Sequence, residues 1–192
     1  METIKKDGRF KRSARSRQCI IESMQILVEQ GQYIPTAQQV ADQASISLRT
    51  VFRHFSEMEH LYKELNEAVR PSYVKYFLNQ DISGSLDARI ERLAKNRTIA
   101  HRETFNLCKS THALMWRSTV LKEAYHYNQK QSLKMMVEML PELKDKSTDI
   151  IEMADACTSF EMFDRYFTYQ NLTVADCTRL FTKQLKMILS MS

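Results

Sequence analysis

Glycine and proline are scarce in this chain, each occurring only three times in 192 residues. Proteins rich in β-sheet need many tight turns, and tight turns draw heavily on these two residue types. Between the few breaks, apolar residues recur at helical spacing, and no stretch shows the alternation typical of a half-buried strand. The sequence therefore predicts an all-α protein built largely from long helices.

Positive charge is concentrated at the N-terminal end. Residues 1–17 contain seven Lys or Arg and two acidic residues, which gives +5, the net charge of the whole chain. The remaining residues therefore sum to zero. A basic segment on a neutral body is typical of proteins that bind a polyanion such as nucleic acid, although a solvated tail can have the same composition. We expect residues 1–12 to form a flexible basic arm.

Composition also bears on membranes, cofactors and the cellular compartment. No apolar run approaches the roughly 18 residues of a membrane span, and polar residues interrupt the apolar positions that follow the basic segment, so we expect neither a membrane partner nor a signal peptide. The four cysteines are widely spaced and form no C-x-x-C motif, which disfavours a disulfide scaffold or a structural zinc site. Reduced thiols fit a cytoplasmic protein. We expect no metal ion and no cofactor.

The N-terminal part of the sequence predicts four helices. The first spans 13–30 and stops at Gly31. Thr36 and Gln39 have the spacing of a capping box at the start of the second helix, which runs through Ala44. Ser47 can cap a third helix that ends at His54. A second capping box at 56–59 opens the fourth, which ends near Arg70.

Residues 36–54 predict a helix-turn-helix arrangement, in which the second helix projects its N-terminal residues into a major groove of DNA. Arginine can bind guanine through two hydrogen bonds, threonine can bond to a base or touch a thymine methyl group, and leucine can make an apolar contact. The basic arm and the helix starts can contact phosphates. The candidate DNA-binding residues are Arg12, Arg15, Arg17, Thr36, Ser47, Leu48, Arg49, Thr50, Phe52, Arg53 and His54.

The stretch TAQQVADQASISLRTVFRHFSEMEHLY, residues 36–62, resembles the DNA-binding domain of the TetR/AcrR family of bacterial regulators. The matching positions are Thr36, Val40, Ala41, Ala44, Ile46, Ser47, Thr50, His54, Phe55, Glu59 and Leu61. The resemblance is specific over 14–65 and concerns only the layout of helices beyond that range. It implies a DNA-binding domain at 13–70 followed by a larger helical domain at 71–192 for ligand binding and dimerisation.

Three residues depart from the family pattern. Ser45 replaces a glycine where the backbone is expected to be left-handed, at a cost of about 1 kcal/mol. Phe52 replaces a tyrosine and so lacks the hydroxyl group that would contact phosphate, and Met58 replaces a common phosphate-binding lysine. We expect the arginines of the N-terminal segment to compensate for these losses.

The second half of the sequence predicts longer helices, at 72–79, 85–111, 113–117, 119–140, 148–169 and 174–190. The last two carry stripes that the family resemblance assigns to a four-helix dimer interface. The first stripe contains Met153, Cys157 and Phe160, and the second contains Val174, Cys177, Phe181, Gln184 and Ile188. Packing of both stripes within one subunit is the alternative.

Aromatic and sulfur-containing residues are frequent in the same half. Most must be core, but such residues also suit a pliable pocket for a small apolar or aromatic ligand, as the resemblance implies. The pocket candidates are Phe105, Cys108, His112, Trp116, Tyr125 and Phe163. His101, Cys108 and His112 share one helix stripe, and the last two have the i, i+4 spacing of metal ligands. No carboxylate joins this stripe, and ordinary polar lining explains it as well.

Taken with the resemblance, these features predict a homodimeric transcriptional repressor that binds a palindromic operator in double-stranded DNA and is released by a small molecule. An activator or an architectural DNA-binding protein without an inducer is the alternative. An enzyme is not expected, because the sequence contains no Ser/His/Asp ordering, glycine-rich phosphate loop or H-E-x-x-H motif.

Overall fold

The computed structural model describes residues 2–76 and 81–191, with side chains from residue 11 onward. Within these ranges it contains ten α-helices and no strand, which confirms the all-α prediction. The helices are α1 (Glu2–Glu29), α2 (Ala37–Gln43), α3 (Leu48–His54), α4 (Met58–Val74), α5 (Leu86–Glu103), α6 (Phe105–Met115), α7 (Thr119–Met139), α8 (Thr148–Cys157), α9 (Phe160–Asp164) and α10 (Val174–Leu189). A 3-10 turn spans Pro141–Asp145, and a π-helical turn spans Arg165–Tyr169.

The chain divides into two compact units. The first contains residues 1–70 and 109–124, and the second contains 71–108 and 125–192. The segment 109–124, which the sequence assigns to the C-terminal domain, belongs to the first unit. Its place in the first unit follows from Ser110, which is fully buried and donates a hydrogen bond from Oγ to the backbone carbonyl of Tyr33 (2.6 Å).

Local hydrogen bonds define the helix-turn-helix as the sequence predicted. Thr36 and Gln39 form the reciprocal capping box at the start of α2. The chain then turns at Ser45, whose φ of 53° is the expected left-handed conformation. Ile46 closes the turn by donating its N–H to the carbonyl of Ala41 (3.0 Å). Ser47 caps α3 by accepting from the backbone N–H of Thr50.

Two helices of the first unit differ from their predicted bounds. The backbone of α1 is helical from Glu2, so residues 2–12, expected as an arm, continue the helix instead. Helix α4 passes through Pro71 and ends at Val74. Proline removes one backbone hydrogen bond. Because Pro71 lies close to the end of α4, this loss affects only the last few residues of the helix. The end of the helix predicted at 72–79 lies outside the described residues.

In the second unit, breaks divide two of the predicted helices. The predicted helix at 85–111 is interrupted at Thr104, which is the C-cap of α5. The predicted helix at 148–169 is interrupted where Thr158 ends α8 and Ser159 caps α9, so its last residues form the π-helical turn. Thr104 and Thr158 are buried and bond to backbone carbonyls through their hydroxyl groups. Such side-chain bonds compete with the regular helical pattern.

Helix α10 lies at the centre of the second unit and packs against α5 and α8. Its buried side chains belong to two clusters, one of which includes Leu185 and Ile188 and the other Cys177 and Phe181. Arg97 of α5 is buried beside them and donates to Asp155 (3.2 Å) and to the backbone carbonyl of Ser132 (3.0 Å).

The turn between α2 and α3 offers a test by two adjacent substitutions. Ser45→Gly should raise the free energy of unfolding by up to about 1 kcal/mol, because the left-handed conformation costs a non-glycine residue about 1–2 kcal/mol and the added freedom of the unfolded chain offsets part of the gain. Ala44→Gly should lower it by about 0.5–1 kcal/mol, because Ala44 has helical dihedral angles (φ −81°, ψ −5°). Denaturant unfolding followed by circular dichroism measures both. Shifts of the same sign would contradict the assigned turn.

Candidate nucleic-acid interface

Helix α3 has a buried side and an exposed side. Val51 is fully buried, and Phe55, which follows the last turn, is 3% exposed. Arg49, Phe52 and Arg53 are exposed at the spacing i, i+3 and i+4, which places them on one side of a helix. Phe52 is 46% exposed despite its large apolar ring. Two arginines and one phenylalanine are therefore available to a partner.

The remaining predicted residues of this helix are less accessible. Leu48 and Thr50 are half-buried, and the Thr50 hydroxyl lies 2.9 Å from that of Ser47. Ser47 and Thr36 are exposed at the starts of α3 and α2, where both hydroxyl groups serve as helix caps. The structure thus establishes their capping roles, and their predicted contacts with phosphate stay predictions.

Arg17 has a structural role that the sequence did not reveal. Its Nη1 donates to Glu64 Oε2 of α4 (2.7 Å), and its guanidinium lies 4.8 Å from the centre of the Phe55 ring. The hydrogen bond raises the pKa of Arg17 and lowers the pKa of Glu64. Arg17 therefore joins α1 to α4 and to the end of α3.

The surroundings of His54 lower the pKa of its side chain. Burial lowers the pKa of its imidazole, and the nearby charges of Arg53 and Arg17 lower it further. Among the described residues, no hydrogen-bond partner reaches its buried Nε2 atom. These effects disfavour the charged form of the His54 imidazole at the end of α3.

Arg12 and Arg15 are exposed on α1. The Ser16 hydroxyl donates to the backbone carbonyl of Arg12 (3.0 Å). The helix is continuous through both residues. The charge expected on a flexible arm is thus presented by a helix, at least from residue 11, where side chains are described.

The predicted pocket residues fall into both units. Phe105, Cys108, Tyr125 and Phe163 belong to the second, whereas His112 and Trp116 belong to the first. Trp116 is 79% exposed, and its Nε1 donates to the carbonyl of Ala113 (3.0 Å). The prediction that Trp116 lines a ligand pocket is therefore wrong, because Trp116 lies at the turn that follows α6 and its side chain is exposed to solvent.

Phe105 and Phe163 belong to an aromatic cluster in the second unit. The Phe163 ring is stacked on that of Phe167 (5.4 Å between centres), and the Phe105 ring meets Phe167 edge-on at 5.4 Å. Phe163 is fully buried, so it forms part of the core. Phe105 is half-buried at the edge of the cluster and keeps some accessible surface.

Cys108 and Tyr125 are also half-buried. Burial raises the pKa of Cys108 to about 11, so the thiol is protonated, and it donates to the hydroxyl of Thr104 (3.6 Å). Tyr125 donates to the carboxylate of Glu161, and burial together with this bond raises its pKa. No pattern in the sequence points to Glu161, because only the fold brings α7 and α9 together.

His101 is separated from Cys108 by the helix break at Thr104. Its Nε2 donates to the backbone carbonyl of Thr158 (3.0 Å), and its ring centre lies 5.7 Å from that of Phe163. Among the described residues, no group of three or more His, Cys, Asp or Glu side chains is arranged to hold a metal ion.

Most residues of the two predicted dimer stripes are buried within their own subunit. Cys177 and Phe181 are fully buried, and Cys157, Phe160 and Ile188 are at most 9% exposed. The structure corrects their assignment as interface residues, because side chains in the core cannot also contact a second copy.

The other stripe residues are more accessible. Val174 is half-buried, as is Gln184, which donates to the Tyr166 hydroxyl (2.8 Å). Met153 of α8 is 41% exposed. Met187 of α10 is 55% exposed. The sequence did not indicate it as an interface residue, because it lies outside the predicted stripe.

The comparisons with known proteins bear on the fold. No family model matches the chain, and a search of curated proteins found no match. A solved structure from Mesorhizobium loti MAFF303099, of a protein assigned to the TetR family of transcriptional regulators, is similar with a TM-score of 0.66. The chain shares that regulator's fold. The alignment covers 93% of this chain and 97% of that one at 17% sequence identity, so the likeness is one of architecture. None of the described helices is long and apolar enough to cross a membrane.

Half-buried His101 predicts a pH-dependent stability. Burial lowers its pKa from 6.5 to about 4, so between these values the unfolded chain binds a proton that the folded chain does not. The free energy of unfolding should therefore fall as the pH drops through this window, by about 1.4 kcal/mol per pH unit. Denaturant unfolding at pH 6.5 and pH 5 measures this slope. His101→Gln removes the titrating group, so the slope should fall by the amount that one proton contributes, about 1.4 kcal/mol per pH unit. An unchanged slope in the variant would rule out His101 as its source.

Proposed function

We propose that this chain is a transcriptional regulator that binds double-stranded DNA through α3. The exposed side of α3 carries the proposal, because Arg49, Phe52 and Arg53 project from a helix whose other side is held in the core by Val51 and Phe55. The second helix of a helix-turn-helix, oriented in this way, fits the major groove. The fold shared with a TetR-family regulator supports the same proposal.

The three exposed side chains supply complementary means of reading a sequence. Arginine forms paired hydrogen bonds with guanine O6 and N7, and phenylalanine makes apolar contact with the methyl group of thymine. Arg49 and Arg53 are one helical turn apart, with Phe52 beside them. We propose that each half-site contains guanine and thymine at neighbouring positions.

Phosphate contacts come from a different part of the first unit. Arg12 and Arg15 are exposed on α1 and are proposed to bind the backbone of DNA. Arg17 is already paired with Glu64, so we assign it to positioning α3 through Phe55. Contacts with phosphate add affinity that is independent of sequence and sensitive to salt.

We further propose a homodimer that binds a palindromic operator as a cytoplasmic repressor. The exposed methionines Met153 on α8 and Met187 on α10 support pairing through these two helices. A twofold dimer would present its recognition helices to major grooves roughly 34–36 Å apart. Half-buried Phe105, Cys108 and Tyr125 are proposed to contact a small apolar or aromatic ligand, whose binding would favour a dimer that no longer matches the operator.

Selection of bound sequences from random DNA, followed by affinity measurements, tests the assigned roles. Arg49→Ala should weaken binding to the selected site by about 1–3 kcal/mol and relax the preference at one base pair per half-site. Arg15→Ala should weaken binding to all sequences alike and reduce the salt slope by about one. Lys144→Ala, an exposed change in the second unit, is the control and should leave the affinity and the salt slope unchanged. If Arg49→Ala loses affinity equally for selected and random DNA, α3 does not read bases.

Replacement of thymine by uracil isolates the role of Phe52, because it removes only the methyl group. When one thymine per half-site is replaced, the free energy of binding by the wild-type chain should weaken by about 0.8 kcal/mol, roughly fourfold in affinity. Phe52→Ala should bind more weakly and no longer distinguish thymine from uracil, whereas Phe52→Tyr should retain the difference. Ile26→Ala, an exposed apolar residue of α1 in the same unit, is the control and should keep the wild-type preference for thymine over uracil. A Phe52→Ala variant that still prefers thymine at that position would exclude the contact.

A further inference from the structure

A small cavity lies within the first unit, between the start of α4 and the turn that joins α6 to α7. Its volume is about 220 Å³. Its apolar walls come from Met58, Tyr62, Leu114 and Leu121, the last three of which are at most 4% exposed, and Ser118 also lines it. Pockets for drug-sized ligands measure about 300–1,000 Å³, so this cavity suits a smaller molecule.

Two opposite charges line the same cavity. Glu59 lies in the first turn of α4 and is half-buried, and Arg117 is exposed just before α7. The two side chains form no ion pair with each other, and the Arg117 guanidinium lies 5.9 Å from the centre of the Trp116 ring. A carboxylate and a guanidinium are therefore both available to groups of a bound molecule.

We propose that this cavity binds a small zwitterion with an apolar side chain, the chemistry of an α-amino acid such as leucine. The ammonium group would bind Glu59, the carboxylate would bind Arg117, and the side chain would pack against Leu114 and Leu121. A simple carboxylic acid would leave its charge beside Glu59, and a simple amine would face Arg117. A molecule with both charges satisfies both residues.

The site is separate from the proposed DNA-binding residues but adjoins them in the chain. Helix α4 begins four residues after α3 ends, so an occupied cavity would join the helix that follows α3 to the turn between α6 and α7. The two charged contacts lie at the protein surface, where each contributes weakly, so we expect a dissociation constant of about 1 mM. Such binding does not depend on the proposed regulatory function.

The test uses L-leucine as the probe and the full-length chain labelled at its methionine methyl groups. NMR titration should shift the Met58 methyl signal with saturation at millimolar leucine. 4-Methylpentanoate lacks the ammonium group and isopentylamine lacks the carboxylate, and each should bind at least about threefold more weakly than leucine. A Met58 signal that does not move at 50 mM leucine would overturn the proposal.

Substitutions test the individual contacts. Glu59→Gln and Arg117→Gln should each weaken leucine binding about two- to fivefold. Glu57→Gln and Arg70→Gln, matched exposed changes outside the cavity, should have no effect. Leu121→Trp should fill the cavity and abolish binding, with circular dichroism confirming that the variant is folded. If 4-methylpentanoate binds as tightly as leucine, or if the folded Leu121→Trp variant still binds, the assigned site is wrong. DNA binding is measured separately, so its failure would not affect this result.

Discussion

The burial of Val51 and Phe55 is the constraint on which the candidate interface depends. Each large apolar side chain removed from water contributes about 1.5–3 kcal/mol, so rotating α3 to expose them would cost several times the energy of thermal motion. Their burial determines that Arg49 and Arg53 face outward. Arg17 reinforces this orientation, since its guanidinium lies over the Phe55 ring.

The second unit depends on a different kind of contact. Arg97 is a guanidinium with only 2% exposure, and its bonds to Ser132, Asp155 and Thr158 connect α5, α7 and the end of α8. A buried ion pair adds little net stability compared with apolar packing, but removal of one partner costs about 3–5 kcal/mol. An arrangement of these helices that broke the bonds would leave the buried guanidinium unpaired at this cost. Around it, α10 buries Phe181 between aromatic neighbours.

The sequence pattern predicted correctly those features whose hydrogen bonds are local. The caps at Thr36 and Ser47 and the left-handed Ser45 each involve residues at most a few positions apart, so the pattern of residue types is enough to specify them. It was wrong about Trp116, which was expected inside a pocket and is exposed. It also assigned Phe181 to a dimer interface although the residue is core, because an apolar stripe indicates that a side is covered and not what covers it.

The sequence by itself determined the all-α class and the helix-turn-helix. These follow from helical periodicity, capping and the scarcity of glycine and proline, all of which act over short distances along the chain. Only the tertiary structure decided that Arg17 pairs with Glu64, that Tyr125 meets Glu161 and that residues 109–124 join the first unit. Those contacts join residues 36 or more positions apart, and their formation depends on the summed packing of several helices that no local pattern encodes.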